Sequence, residues 1–350
     1  MNEQININSC PVPQTEYDRI LMAHGGGGKF SKNLLEQYIY PLFDNEILSQ
    51  KHDSAIFEIS NTKFAFTTDS FVVNPIYFPG GDIGKLAVYG TVNDLSVAGA
   101  KPVFISLSFI IEEGFPIEDF KKILLSIKQA TEIADVKIIT GDTKVVEKGS
   151  CDKIFINTTG IGIIENQIEI NPSKCKAGDK IILSGSIGEH GISILVSRNN
   201  FELETNIESD TAPLNSLVEK IINVSKNIHM MRDPTRGGLS SCLNEIAQSA
   251  KVGMLIYEDK IRIREDVKSI CELLGLDPLY VANEGKLVVI VDSKDADLVL
   301  NTMRQHPLGK DSQIIGELIE DQFNLVYMKT IIGTTRIVDM ISGEQLPRIC

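Results

Sequence analysis

Residues 78–102 read FPGGDIGKLAVYGTVNDLSVAGAKP, and this stretch decides the fold. Gly80-Gly81-Asp82 offers an N-cap, and Leu86, Tyr89, Val92 and Leu95 follow at helical spacing. Gly99-Ala100-Lys101-Pro102 closes the helix. Inside it, Asn93-Asp94 sits between apolar Val92, Leu95 and Val97. A polar pair on such a face needs partners, either core hydrogen bonds or a ligand.

Strand and helix patterns alternate on both sides of this helix. Upstream, the β-rich runs Ser54 to Ser60 and Lys63 to Thr68 predict a hairpin, with Asp69 at the strand end. Downstream come a strand over 103–111, a helix over 117–134 and a strand over 136–140, with Gly141-Asp142-Thr143-Lys144 at its end. A β segment over 153–164 closes this half, and Asn171-Pro172-Ser173 marks a boundary. Beyond it, strands near 180–183, 252–257, 286–291, 313–319 and 324–328 alternate with helices after Gly188, Pro213, Gly238, Arg264 and Ser293. The pattern predicts two α/β domains. Their expected limits are 20–171 and 172–335, with an N-terminal arm over 1–19 and a mobile tail over 336–350 that ends in Cys350.

The 350 residues are more than one ordinary core uses. Hydrophobic content of 43% and charged content of 23% belong to the globular class. A net charge of −13 argues against nucleic acid or an anionic membrane as partner. No apolar run approaches the ~18 residues of a membrane span. The start, Met1-Asn2-Glu3-Gln4, has no signal-peptide pattern. The 6 scattered cysteines include no C-x-x-C pair, which reads as reduced thiols and a cytoplasmic setting.

Three features carry chemistry. Gly25-Gly26-Gly27-Gly28-Lys29 allows close approach of backbone N–H groups to phosphate, yet fits neither a Walker loop nor a dinucleotide fingerprint. A flexible linker explains it equally well. Carboxylates recur at element ends: Asp69, Asp94, Asp142 and Asp233. Singly each reads as a cap or turn residue, and together they suit a magnesium nucleotide. Cys350 is a thiol on the last residue, and the fifteen residues from Arg336 span up to about 50 Å when extended. That reach admits entry into a distant site. Arg348 favours the thiolate and the terminal carboxylate disfavours it. Among the histidines, His24 and His190 lie among glycines and face a ligand in this reading, while His52, His229 and His306 read as ordinary surface or core positions.

These residues resemble the PurM-like (AIR synthetase-related) ATP-using enzymes and, within them, the HypE family of carbamoyl dehydratases in hydrogenase maturation. The resemblance runs from Ile20 to Cys350. It passes through His24 to Lys29, Thr68-Asp69-Ser70, Phe78 to Leu86, Thr91 to Leu95, Gly141 to Val146 and Gly188-Glu189-His190-Gly191. It continues in Arg232 to Leu239 and in Asn283-Glu284-Gly285-Lys286-Leu287. The closing Pro347-Arg348-Ile349-Cys350 matches the family's terminal tetrapeptide and is the specific part.

The resemblance implies an N-terminal α/β domain whose sheet pairs across a homodimer, and a larger C-terminal α/β domain. It implies ATP and Mg2+ as cofactors, with Asp69, Asp94 and Asp142 as metal ligands. Gly25 to Gly28, Lys29, Asn93, Thr143, Asp233 and Arg236 complete the implied ATP site. A HypF-type carbamoyltransferase is expected to load a carboxamide onto Cys350. ATP-dependent dehydration would then leave a thiocyanate, whose nitrile passes to iron on a HypC–HypD complex. Glu284 and Lys144 match the family positions for deprotonation and orientation. Selenophosphate synthetase shares the fold and the aspartates but keeps a cysteine in its glycine loop, which is absent here. A non-catalytic scaffold that delivers a thiol is the other alternative. Residues 1–19, with Cys10, carry no assignment.

Overall fold

The protein is described by a computed structural model covering residues 19–50, 52–165, 168–199, 206–343, 346 and 348–350. Cys10 and Pro347 lie outside the described residues. Among these residues, no helix is long and apolar enough to cross a membrane.

Two short helices, α1 (Lys29–Leu34) and α2 (Tyr40–Phe43), follow the glycine run. The expected hairpin is present as β1 (Ala55–Ile59) and β2 (Thr62–Phe71). It turns through Ser60 and Asn61, both left-handed at φ 50° and 62°. That double positive φ matches the right-handed twist of the flanking strands. A small pair, β3 (Tyr77–Phe78) and β4 (Gly81–Asp82), precedes α3 (Ile83–Val97). Asp82 caps α3 as expected, its Oδ1 accepting the N–H groups of Gly84 at 2.7 Å and Lys85 at 3.1 Å. Then come β5 (Lys101–Glu112), α4 (Ile117–Ala134), β6 (Lys137–Val146) and β7 (Ile154–Ile164).

The first sheet has the order β1-β2-β7-β5-β6, antiparallel except for the β5–β6 pair. One face is covered by α3, with α4 packed beside it, and Ile83, Leu86, Ile105, Ile123 and Ile127 fill the space between. The other face is open. Asp69 and Asp142 lie inside β2 and β6, not at strand ends as the sequence suggested. The polar phrase at 141–144 hid the continuation, because an edge strand open on both faces shows no apolar alternation.

The second sheet is built from β8 (Lys180–Leu183), β9 (Ile228–Arg232), β10 (Gly253–Tyr257), β11 (Val288–Val291), β12 (Gln313–Ile319), β13 (Val326–Lys329) and β14 (Thr335–Ile337). Its order is β14-β13-β10-β12-β8-β11-β9. The accompanying helices are α5 (Glu189–Asn199), α6 (Asn215–Val224), α7 (Gly238–Ala250), α8 (Glu265–Leu274) and α9 (Ala296–Arg304). Its core is a separate apolar cluster that includes Ile181, Leu217, Leu243, Met254 and Val289. Strands β9 and β14 were not anticipated. Both are edge strands: β14 has three residues, too short for a period-2 signal, and β9 reads Ile-His-Met-Met-Arg, which does not alternate strictly.

The stretch read as a mobile tail is docked in the structure. Val338, Met340 and Ile341 are buried, and Lys29 N–H donates to the Ile341 carbonyl at 3.0 Å. Ile349 belongs to the N-terminal core cluster.

Candidate active site

A cavity of about 660 Å³ opens where the two domains meet. Its floor is carboxylate. Asp69 on β2 and Asp94 on α3 face each other across the strand–helix junction, because residues 65, 67, 69 and 71 all point to the helix-covered side. The Thr67 hydroxyl donates to Asp94 Oδ2 at 2.9 Å. Gly90 is required here by the Phe71 ring, since a Cβ there would lie 2.8 Å from the Phe71 Cζ atom. Asp233 enters from the loop after β9, and Asp53 from the residues before β1.

Four aspartates crowded along one cavity, Asp233 buried and the others half-buried, repel each other. Burial, with Asp233, Asp69 and Asp53 nearby, pushes the Asp94 carboxyl well above its ordinary range. Burial and Asp53 push Asp233 up to about 7. Asp69 is also raised by burial, against the opposing pull of Arg236. Such a set has more negative charge than the surrounding side chains neutralise, which is the donor chemistry of a divalent cation with phosphate.

The same cavity is lined by Glu284, Arg236 and Cys350. Glu284 is 3% exposed and sits on a turn clamped from both domains. Its N–H donates to Asp210 Oδ1 at 3.1 Å, and its carbonyl accepts Asn93 Nδ2 at 3.1 Å. Gly285 is required by contact, since a Cβ there would lie 1.9 Å from the Asp210 carbonyl oxygen. Burial, then Asp233 and Asp69, push the Glu284 carboxyl well above its ordinary range. The carboxyl therefore holds its proton more tightly than a free glutamate does.

Arg236 links the cavity to the glycine arm: Nη1 donates to the Gly25 carbonyl at 2.9 Å. Gly27, at φ +73°, lies so close that a Cβ would meet Arg236 Cβ at 2.6 Å. The Cys350 thiol is pushed up to about 12 by burial, with Arg236 opposing and Glu284 and Asp69 reinforcing. Arg236 thus occupies the electrostatic role that the sequence gave to Arg348, which instead pairs with Asp152 at 2.6 Å.

Several expected site residues are placed elsewhere. Asp142 and Lys144 pair with each other at 2.7 Å on the exposed strand β6. Register aligns Asp142 with Ser108, Asn157 and Ser70, a row on the open face of the sheet, opposite the face that carries Asp69. Thr143 is also exposed on β6 and does not line the cavity. Lys29 Nζ turns to Asp339 at 2.5 Å and lies outside the lining, while Gly25, Gly27 and Gly28 belong to it. Asn93 is a clamp between domains: Nδ2 donates to Ala212 and Glu284 carbonyls, each at 3.1 Å, and Oδ1 accepts Leu214 N–H at 2.8 Å.

Sequence reasoning missed Asp53, Arg232 and His52. Arg232 bridges Asp53 at 2.9 Å and Glu245 at 2.8 Å beside the cavity. Asp53 meets the same criterion, a carboxylate at an element end, that singled out Asp69. His52 lines the cavity with both ring nitrogens buried and without a hydrogen-bond partner among the described residues. This corrects its reading as an ordinary position. His229 and His306 are satisfied, by Asp179 at 2.6 Å and by Ser216 at 3.1 Å.

Comparison with known proteins shows what the chain is similar to. Residues 51–164 match the model of the AIR synthase related protein N-terminal domain, and residues 176–328 that of the C-terminal domain. The chain is 50% identical over 333 residues to carbamoyl dehydratase HypE of Cupriavidus necator, covering 95% of each chain. It is similar to a solved HypE–HypF complex at 49% identity and TM-score 0.84, covering 88% of this chain and 99% of that one. A structure of HypE in complex with ATP matches at 43% identity and TM-score 0.80, covering 95% and 100%.

Proposed function

The chain belongs to the HypE family of carbamoyl dehydratases, with the two-domain AIR synthase related (PurM-like) fold, and from that premise we propose how its site works. The protein is an ATP-binding enzyme of hydrogenase maturation that dehydrates a carboxamide carried on the Cys350 thiol to a thiocyanate. A single observation supports this reading most: the C-terminal thiol lies in the same cavity as four aspartates, Arg236 and Glu284.

An amide oxygen is a poor leaving group and must be activated. Phosphoryl transfer from ATP to the carboxamide oxygen breaks the bond to the γ-phosphorus and forms a C–O–P linkage. Removal of the N–H protons then closes the C≡N bond as the C–O bond breaks and phosphate leaves. Glu284 is the group on this chain placed to take one of these protons beside Cys350, and the other leaves with the departing phosphate. Arg236 stabilises negative charge at the thiocarboxamide, and Gly25, Gly27 and Gly28 bring the backbone to the cavity edge without side chains, while the Gly27 N–H is held by the Ser31 hydroxyl at 2.9 Å. Asp69 and Asp94, with Asp53 and Asp233, would hold Mg2+, which supplies neutralisation of phosphate charge.

Asp142, Thr143 and Lys144 join this scheme through a second copy. The open sheet face exposes Phe66, Phe104 and Ile110, and Ile139 and Val145 are exposed on β6, an apolar surface that a homodimer would cover. A HypF-type carbamoyltransferase supplies the carbamoyl group, consistent with the solved HypE–HypF assembly of a relative, and a HypC–HypD complex accepts the nitrile. The work is cytoplasmic in this reading.

Labelling tests the reaction. Carbamoyl-loaded protein carrying heavy oxygen in the carboxamide is expected to release that label in phosphate, as Cys350 loses the mass of one water. Label kept on Cys350 or released to bulk water would rule the mechanism out.

A further inference from the structure

We propose that the surface receiving Arg348-Ile349-Cys350 is a sequence-selective docking site for a C-terminal tripeptide, with His190 as the positioning residue that sets the depth of the thiol. The proposal deepens the reading above, because it concerns how the carrier thiol is presented, and rests on it only in calling Cys350 the carrier.

The tail runs alongside the residues that follow β2 and is held there by backbone hydrogen bonds. Val72 N–H donates to a terminal carboxylate oxygen of Cys350 at 3.0 Å, and Asn74 N–H to the Arg348 carbonyl at 3.3 Å. Residue 72 meets 350 and 74 meets 348, an antiparallel register on the chain that continues β2. The Ile349 carbonyl faces the other way and needs a different donor. His190, fully buried at the start of α5, supplies it: Nε2 lies 2.8 Å from that oxygen.

The imidazole is held in one tautomer. A carbonyl only accepts, so Nε2 carries the proton and Nδ1 accepts from the Ser209 hydroxyl at 2.8 Å. Ser209 in turn contacts the Thr211 hydroxyl at 2.6 Å and accepts Thr211 N–H at 3.1 Å. The Phe78 ring lies edge-on to the imidazole with centroids 5.6 Å apart. The donor therefore cannot swing away to follow a displaced tail.

Each tail residue meets different chemistry. Arg348 donates Nε–H to the Val72 carbonyl at 2.9 Å and Nη1–H to Asp152 at 2.6 Å, with its guanidinium 5.7 Å from the Phe155 ring centre. Arg198 donates Nη2–H to the Arg348 carbonyl at 2.9 Å and Nε–H to the Asn74 carbonyl at 2.8 Å. Ile349, 4% exposed, shares an apolar cluster with Val73, Phe78 and Ile194. Cys350 reaches Arg236 and Glu284 in the cavity. A slip of one residue places isoleucine at the Asp152 position or arginine in the apolar cluster, so the register is specified. The non-glycine Arg348 takes φ 52°, a conformation that these contacts maintain.

The test uses the full chain and reads the rate at which iodoacetamide alkylates Cys350, followed by peptide mass. His190→Phe, which keeps a ring but removes the donor, is expected to raise that rate roughly tenfold, the effect of losing one buried hydrogen bond. His190→Gln, whose amide nitrogen sits near the Nε2 position, should restore slow alkylation. On the unmutated chain, a millimolar peptide ending Leu-Pro-Arg-Ile-Ser should speed alkylation of Cys350, and one ending Leu-Pro-Ile-Arg-Ser should not. The wild-type rate in a folded His190→Phe chain overturns the positioning role. Equal effects of the two peptides overturn the selectivity. Docking lost while dehydration persists sinks this proposal alone. Docking intact without dehydration sinks the proposed reaction instead.

Discussion

Asn93 Nδ2 donates to the main-chain carbonyl of Glu284 at 3.1 Å, joining helix α3 of one domain to the turn that carries the proposed base in the other. The same amide group holds Ala212 and Leu214. Asn93→Ala leaves three buried backbone groups without this partner, so it should cost about 3 kcal/mol of stability. Urea unfolding measures it. A change under about 0.5 kcal/mol would show that the domains are aligned by other contacts.

Asp94→Asn is expected to leave the empty protein at least as stable as the parent, because one of four crowded carboxylates is neutralised at constant shape. The same variant should lose the rise in Tm that Mg2+ and ATP produce together. A preserved ligand-dependent shift would remove Asp94 from the metal site, and unfolding at ordinary temperature would make it structural.

Glu284→Gln separates binding from chemistry. It should keep the ATP-dependent Tm rise and accept the carbamoyl group, yet yield thiocyanate at least about a hundredfold more slowly, the range for a lost general base. Mass analysis of the terminal peptide reads this directly. Normal yield would assign the proton to another group.

Lys144 lies on the exposed β6, away from the cavity of its own chain. If a second copy supplies it, Lys144→Met and Asp94→Asn chains should each be inactive alone and regain activity when mixed. In a dimer one mixed site then carries both changes and the other none. A one-to-one mixture should recover up to about a quarter of wild-type activity after exchange. Failure to complement in a demonstrated mixed dimer would place Lys144 outside the shared site.

The buried His190 gives a pH signature. Burial lowers its folded pKa, with Asp210 and the Ile349 carbonyl opposing. The unfolded imidazole titrates near 6.5, so below that pH the unfolded chain binds a proton that the folded chain resists. Stability from this source is lost as pH falls below about 6.5 and is unaffected above it. The parent should therefore lose more stability than His190→Gln between pH 7 and 5. Parallel urea-unfolding midpoints across that range would contradict the assignment.

Much of this protein is local and was legible in the chain. The Asp82 cap, the Asn61 hairpin turn and helices α3, α4 and α8 follow from side-chain spacing and short-range hydrogen bonds, which act within a few residues. Asp69, Asp94, Asp233, Arg236, Glu284 and Cys350 were all named from sequence, and they line one cavity. The closing Pro347-Arg348-Ile349-Cys350 was the specific part of the family resemblance.

Only the tertiary structure decided which of those side chains share a face. Asp142 and Asp69 look alike in sequence, but a strand turns successive side chains to opposite sides, and register sends these two to opposite faces of one sheet. Asn93 looked like a ligand and is an interdomain clamp, because its partners lie 119, 121 and 191 positions away. The tail shows no period, since its contacts go to Val72, Asn74, Asp152 and His190 and not to its own neighbours. Pairings of that kind depend on how two sheets and their helices pack, and local sequence patterns carry no information about them.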